Sequence, residues 1–117
     1  MPSQGPAQDV DVVLRAIAEP RRRAILTLVS PTEMSAGEIA QQFDVTRAAV
    51  SQHLQVLKEA RLVTERREGT RRLYRASETG LAELRAFLEA LWRQRMEVAR
   101  DIVEDTGRED GGVAAAS

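Results

Sequence analysis

The stretch from residue 45 to residue 63 constrains this chain more than any other, because it predicts a helix with two unlike faces. Val50, Leu54 and Leu57 recur at helical spacing, so that face is predicted to be buried. The opposite face has no large apolar group and consists of Arg47, Ala48, Ser51, Gln52 and Gln55. The DNA major groove admits a helix and offers hydrogen-bond donors and acceptors to such side chains. The pattern therefore predicts a recognition helix.

The composition excludes several classes of protein. With 117 residues, the chain has room for one domain with a modest core. It contains no cysteine, which removes disulfides and thiolate metal sites, and a single histidine does not build a zinc site. We therefore predict no metal and no cofactor. There is no signal-peptide pattern and no apolar run of roughly 20 residues, so we predict a cytoplasmic protein without membrane association.

Charge is unevenly distributed along the chain, although the formal net charge is only −1. Residues 20–75 carry eleven Lys and Arg against six acidic residues, and both flanking segments are acidic. The basic segment contains the predicted recognition helix. Because duplex DNA presents a dense line of phosphates, this distribution predicts a protein that meets double-stranded DNA with one face.

Three helices are predicted ahead of the recognition helix. Asp9 suits the cap of a first helix that ends at about Ala18. Pro20 suits the first position of a second helix, where its missing N–H costs nothing. Ser35 followed by Glu38 makes a capping box for a short third helix. Because only a short turn separates the third helix from the recognition helix, the two predict a helix-turn-helix.

Residues 62–76 change to a strand pattern. Two short strands flank a turn at Gly69, which suits a positive φ, so a β-hairpin, or wing, is predicted. Arg71 and Arg72 are predicted to reach a narrow minor groove or its phosphates, and a solvated charge cluster is the alternative. Because neighbouring strand side chains point to opposite faces, we expect one of the two to contact DNA.

A long last helix is predicted from Ser77 or Thr79 to about Glu104. It is too long to bury its whole apolar stripe in so small a domain, so its far half is predicted to pack, with the first helix, against a second copy of the chain. An antiparallel pair with the first helix of the same chain is the alternative. The predicted dimer interface consists of Val10, Val13, Leu14 and Ile17 on the first helix and Leu88, Leu91, Trp92, Val98 and Ile102 on the last.

The predicted fold class is mainly α with a small β-hairpin. Residues 1–8 are expected to form a flexible N-terminus and residues 106–117 a disordered tail. Between them, residues 9–105 are predicted to form one winged helix-turn-helix domain for DNA binding and dimerisation.

Three segments resemble the ArsR family of bacterial winged-helix repressors: residues 19–26, residues 50–58 and residues 61–74. The likeness covers roughly residues 10–100, and the recognition helix is its most specific part. The resemblance implies a homodimeric transcriptional repressor that binds pseudo-palindromic operators, often its own promoter. Metal-sensing members use a cysteine pair in the third helix or histidines and acids in the last helix. Since this chain lacks those cysteines and histidines, it resembles a member that does not sense metals.

Individual roles follow from chemistry and position. Arg47 is predicted to pair with a guanine or to contact a phosphate, while Gln52, one turn deeper, suits adenine. Thr46 is expected to cap its helix and also to touch phosphate. His53 adjoins the apolar stripe, so it is predicted either to contact phosphate or to pack with a satisfied ring nitrogen. The predicted DNA contacts are Thr46, Arg47, Ala48, Ser51, Gln52, His53, Gln55, Arg71 and Arg72.

No enzymatic activity is predicted, because the sequence has no cysteine nucleophile, no phosphate-cradling glycine-rich loop and no Ser-His-Asp arrangement. Two alternatives stay open. A winged helix can serve protein recognition, although such a surface usually carries an aromatic or large aliphatic anchor. A repressor can also be released by a small apolar ligand at the dimer interface, which adds to DNA binding and does not replace it.

Overall fold

The computed structural model describes residues 9–110 and confirms the predicted fold class. Its elements are α1 (Val10–Ile17), α2 (Pro20–Leu28), α3 (Ala36–Gln42), α4 (Arg47–Glu59), β1 (Val63–Glu68), β2 (Arg71–Ala76) and α5 (Glu78–Asp110). The chain divides into two compact units, the first ending at Leu84 and the second beginning at Arg85. The predicted flexible N-terminus (residues 1–8) and the last part of the predicted tail (residues 111–117) lie outside the described residues.

The predicted helix caps are confirmed. The Asp9 carboxylate accepts from two backbone N–H groups at the start of α1, at 3.0 and 3.4 Å. In the capping box of α3, the Ser35 hydroxyl accepts from Glu38 N at 3.2 Å, and the Glu38 carboxylate accepts from Ser35 N at 2.8 Å. Thr46 Oγ1 accepts from Ala49 N at 3.0 Å and opens α4. Each contact satisfies a donor that the first turn of a helix leaves free.

The end of α4 has a feature that the sequence analysis did not predict. Arg61 has a φ of 63°, in the left-handed region that usually takes glycine. Its N–H donates to Lys58 O at 3.0 Å, and Leu62 N donates to Leu57 O at 2.9 Å. These two bonds form a Schellman motif, which satisfies the last carbonyls of the helix. Leu57 and Leu62 are both fully buried, and their burial holds the reversal in place.

The core of the first unit surrounds α4, which packs against α1, α2, α3 and β1. Its apolar stripe is buried as predicted. One residue predicted on α1 needs a correction, because Val13 forms the buried face of this helix with Ala16, while Leu14 is 39% exposed and stays available for the predicted interface. Val13 was predicted for the dimer interface, but it is only 1% exposed within a single chain, so it has no surface to offer a partner. The reason is that α1 lies against both α2 and α4.

The wing is a two-stranded antiparallel sheet in which Arg67 lies opposite Arg72 and Glu68 opposite Arg71. Gly69 turns the chain with a φ of 62°, as predicted. Two backbone hydrogen bonds between Met34 and Tyr74, of 3.0 and 2.8 Å, join the wing to the segment before α3. The hairpin is therefore attached to the helical part of the unit by main-chain bonds as well as by side chains.

The second unit consists of the far part of α5. Exposed apolar side chains line it, from 44% at Leu88 to 63% at Trp92. The helix continues to Asp110, past the end predicted near Glu104, so residues 106–110 are helical where a disordered tail was predicted. Each added residue gains one backbone hydrogen bond once a helix exists, and a single Gly costs only about 1 kcal/mol. The division of the chain into domains stays a prediction.

Candidate nucleic-acid interface

The face of α4 predicted to read DNA is open to solvent. Arg47, Ala48, Ser51, Gln52 and Gln55 are all exposed. Their backbone is held by the buried stripe on the other side of the helix, so the exposed side chains project from a fixed support. One of them also has a partner within the helix, since Gln55 Nε2 donates to Glu59 Oε2 at 3.0 Å.

A cleft of about 590 Å³ joins this face to the wing. Its lining residues come from the start of α3, the first half of α4 and the beginning of β2: Ser35, Ala36, Gly37, Arg47, Ser51, Thr70, Arg71, Arg72 and Tyr74. The structure thus brings together Arg47, Ser51 and both predicted wing arginines. The other predicted contacts on α4 and its cap do not line this cleft.

Both wing arginines have carboxylate partners. Arg71 Nη2 lies 3.2 Å from Glu38 Oε1, and Arg72 Nε lies 3.3 Å from Glu65 Oε2. The backbone N–H of Ser35 and, to a lesser degree, Arg71 hold the pKa of Glu38 below its usual range. At least half of each arginine side chain is nevertheless exposed. Both guanidinium groups therefore stay accessible to an anion from solution.

His53 occupies a different setting from the rest of the predicted contacts. It is half-buried, and its Nδ1 lies 3.4 Å from Arg22 Nη1. The same guanidinium donates to Ala16 O at 2.7 Å and to Arg15 O at 3.1 Å. The contact with Arg22 favours the prediction that His53 packs with a satisfied ring nitrogen. A role for His53 in DNA binding stays a prediction.

Sequence reasoning missed Arg22. The signal was its position shortly after α1, because the last carbonyls of a helix need donors from outside the helix. Arg22 donates to two of these carbonyls, and Arg23 donates to a third, with its Nη1 2.7 Å from Ile17 O. These two arginines act as a C-terminal cap for α1, and Arg22 also links that cap to the recognition helix.

The structure gives no support for a metal centre in the part of the chain that it describes, where no three His, Asp or Glu side chains gather. The absence of metal and cofactor stays a prediction. None of the helices between residues 9 and 110 is both long and apolar enough to cross a membrane.

Known proteins resemble this chain in sequence and in fold. A family described as "Helix-turn-helix domain" matches residues 17–66. HTH-type transcriptional regulator Rv2034 of Mycobacterium tuberculosis is 41% identical over 97 residues, covering 83% of this chain and 91% of that regulator. Transcriptional repressor SdpR of Bacillus subtilis is 40% identical over 57 residues, covering 49% of this chain and 63% of the repressor.

A solved structure extends the likeness to the wing. The homodimeric winged helix-turn-helix DNA-binding domain of Mb0332 from Mycobacterium bovis, a possible ArsR-family transcriptional regulator, has a TM-score of 0.60 and 35% identity to this chain. The match covers 75% of this chain and 82% of that one. A helix-turn-helix followed directly by a β-hairpin defines the class of winged helix-turn-helix regulators. Within that class, this chain belongs to the ArsR family of transcriptional regulators.

Proposed function

We propose that the protein is a homodimeric transcriptional repressor that places α4 in the major groove of a pseudo-palindromic operator, its own promoter being one candidate. The observation that carries this proposal is the exposed face of α4. It is polar, has no large apolar side chain, and adjoins a cleft that also contains the wing arginines. Such a face suits base edges, whereas a protein-recognition surface usually presents an apolar anchor.

The residues of α4 have separate roles in this proposal. Arg47 pairs with guanine O6 and N7, a contact worth about 1–3 kcal/mol of discrimination. Gln52 reads adenine, and the small side chain of Ala48 leaves room for a thymine methyl group. Thr46 and the free N–H groups of the first helical turn contact a phosphate. Ser51 lies in the cleft beside Arg47 and completes the contact surface.

Dimerisation is proposed through the far part of α5 together with α1. Leu88, Leu91, Trp92, Val98 and Ile102 leave a large exposed apolar surface on the described part of α5. A patch of that kind marks an interaction surface more often than a solvated one. Two recognition helices related by a two-fold axis then meet half-sites one helical turn, about 34–36 Å, apart.

The chain is proposed to act in the cytoplasm and to have no catalytic activity, in keeping with its family. The absence of metal sensing also belongs to the proposal, since the third and last helices have neither cysteine nor histidine. Release of the repressor by a small apolar ligand at the dimer interface is the second candidate for regulation. The exposed apolar side chains of α5 are the observation that favours it.

Selection of bound duplexes from a random pool is the test of this function. We expect an inverted repeat with its two halves about one helical turn apart. Arg47→Ala should then weaken binding to that operator and relax the preference at one base pair. Arg85→Ala is the matched control, because Arg85 is 81% exposed on α5 and its one ion pair among the described residues is with Glu89.

Two results would oppose the proposal. Absence of binding to every duplex at low salt would remove DNA as the partner. Equal weakening on the operator and on random duplex after Arg47→Ala would leave DNA binding intact but show that Arg47 contacts phosphate and reads no base.

A further inference from the structure

The two faces of the wing carry different charge. Side chains alternate along each strand, so Glu65, Arg67 and Arg72 share one face, here called the Arg67 face. Arg66, Glu68, Arg71 and Arg75 share the opposite one, the Arg71 face. The sequence alone shows a cluster of arginines, while the pairing register sorts them into two groups.

The Arg71 face is electrically balanced. Arg66 donates to both oxygens of Glu33, at 2.9 and 2.6 Å, and also lies 3.8 Å from Glu68. Arg71 pairs with Glu38, which is itself held by the capping box of α3. Arg75 makes no ion pair within the described residues, but its charge helps to lower the pKa of Glu33, so three arginines on this face share three carboxylates. These ion pairs connect the wing to α3 and to the segment before it, and they leave little net positive charge on this face for another partner.

The Arg67 face has a surplus of positive charge. Lys58, from α4, and Arg72 both pair with Glu65. Arg67 lies opposite Arg72, and no carboxylate is within ion-pair distance of it in the described part of the chain. Lys58, followed by Arg72 and Arg67, lowers the pKa of Glu65 below its ordinary value. Three cationic groups therefore share one carboxylate.

The cross-strand pair of Arg67 and Arg72 lowers the stability of the free protein. Like charges directly opposite one another on a two-stranded sheet destabilise it. An anion held between the two side chains removes that repulsion, and guanidinium groups match phosphate geometry. We propose that Arg67 and Arg72, assisted by Lys58, bind one phosphate of the DNA backbone, whereas Arg71 serves the internal contact with Glu38. This inference rests on the proposed function and names the wing residues that carry its electrostatic part.

The positions of Arg72 and Lys58 fit this role. Arg72 lines the cleft beside Arg47 and Ser51, as Arg71 does, whereas Arg67 lies outside the cleft, opposite Arg72 on the sheet. Lys58 follows Ser51 by seven residues, two helical turns, and so lies on the same exposed side of α4. A DNA phosphate backbone that runs along the groove occupied by α4 would thus contact cations of the helix and of the Arg67 face at the same time.

The test compares the salt dependence of binding among glutamine variants. Arg67→Gln/Arg72→Gln should weaken binding to operator and random duplex by the same factor, about tenfold. It should also reduce the slope of log K against log salt by about 0.9 for each phosphate that the variant no longer neutralises. Arg71→Gln tests the other face of the wing and should reduce that slope less than the double variant does. Arg85→Gln, at a side chain that is 81% exposed on α5, is the control that should leave the slope unchanged.

A second measurement separates this role from a structural one. In the free protein Arg67 is attracted by one carboxylate, Glu65, and repelled by the two cations Arg72 and Lys58 that share it. Arg67→Gln should therefore raise the melting temperature at low salt, and the gain should vanish at high salt. If Arg67 merely stabilised the wing through a salt bridge, the same variant would melt at a lower temperature than the wild type.

Three outcomes would overturn the inference. One is an unchanged salt slope in the double variant while the wild type binds its operator normally, which leaves the proposed function standing. Another is an equal fall in slope for Arg71→Gln, which would assign the phosphate to the other face. Failure of the wild type to bind any duplex would remove both the inference and the proposed function.

Discussion

Replacing Arg61 with glycine should stabilise the protein. Arg61 ends α4 with a φ of 63°, a conformation in which the Cβ atom of an L-residue is crowded. Glycine has no Cβ atom and keeps both hydrogen bonds of the Schellman motif, because these use main-chain atoms alone. The Arg61 side chain is exposed, so its removal leaves no cavity.

Two opposing terms set the size of the effect. The left-handed region costs a non-glycine residue about 1–2 kcal/mol, a strain that glycine does not have. Glycine loses more conformational entropy on folding, which costs about 0.4–1 kcal/mol. With mid-range values of about 1.5 and about 0.7 kcal/mol for these two terms, the net gain expected for Arg61→Gly is about 0.8 kcal/mol in the free energy of unfolding. For a chain of this size, that gain corresponds to a rise of roughly 2–8 °C in melting temperature.

Thermal and urea unfolding followed by circular dichroism measure this gain. All variants should be compared at one protein concentration, because the stability of the proposed dimer would depend on it. Arg61→Ala is the matched control, since it removes the guanidinium but keeps the Cβ atom, and it should melt close to the wild type. Equal gains for Ala and Gly, or a lower melting temperature for Gly, would refute the argument from backbone strain.

Three further changes test other parts of the structure. Gly37→Ala should stabilise α3 by about 0.5–1 kcal/mol in urea unfolding, because an added Cβ atom would lie 4.0 Å from Arg47 Nε, an ordinary contact; a lower urea midpoint would contradict this. The hydrogen bond from Arg66 lowers the pKa of Glu33 from 4.5, so the pair stabilises the folded state above that pH and loses its effect as pH falls through the lower, folded pKa. The stability difference between wild type and Glu33→Gln should therefore shrink in acid, and a difference independent of pH would exclude the pair as its source. Trp92→Arg should shift the proposed dimer towards monomer in sedimentation, because Trp92 is 63% exposed on α5; an unchanged dimerisation constant would place the interface elsewhere.

Elements whose signals lie within a few residues were predictable. The caps at Asp9, Ser35 and Thr46 each bond to a backbone group two or three residues away. The turn at Gly69 needs a positive φ that glycine adopts freely. The buried stripe of α4 follows from helical periodicity alone. For the same reason, the exposed face of that helix was predictable residue by residue.

The sequence misled where an apolar side chain of α1 was assigned to the dimer interface and not to the core. Val13 was predicted to face a second copy of the chain, yet it is 1% exposed and packs with Ala16 inside the single chain. The choice depends on which neighbours the helix meets, and α1 meets both α2 and α4. Close contact between helices favours a small side chain at the crossing, and periodicity does not reveal where the crossing falls.

The sequence by itself thus determined the order of the elements, their caps, and the exposed polar face of α4. These depend on hydrogen bonds between near neighbours and on helical periodicity. Only the tertiary structure decided which distant partners Arg22 and Arg66 take. Arg22 reaches His53 across 31 positions of the chain, and Arg66 reaches Glu33 across 33. An arginine can pair with any carbonyl, ring nitrogen or carboxylate that folding brings within reach, so its role depends on the packing of distant segments and not on its neighbours in sequence.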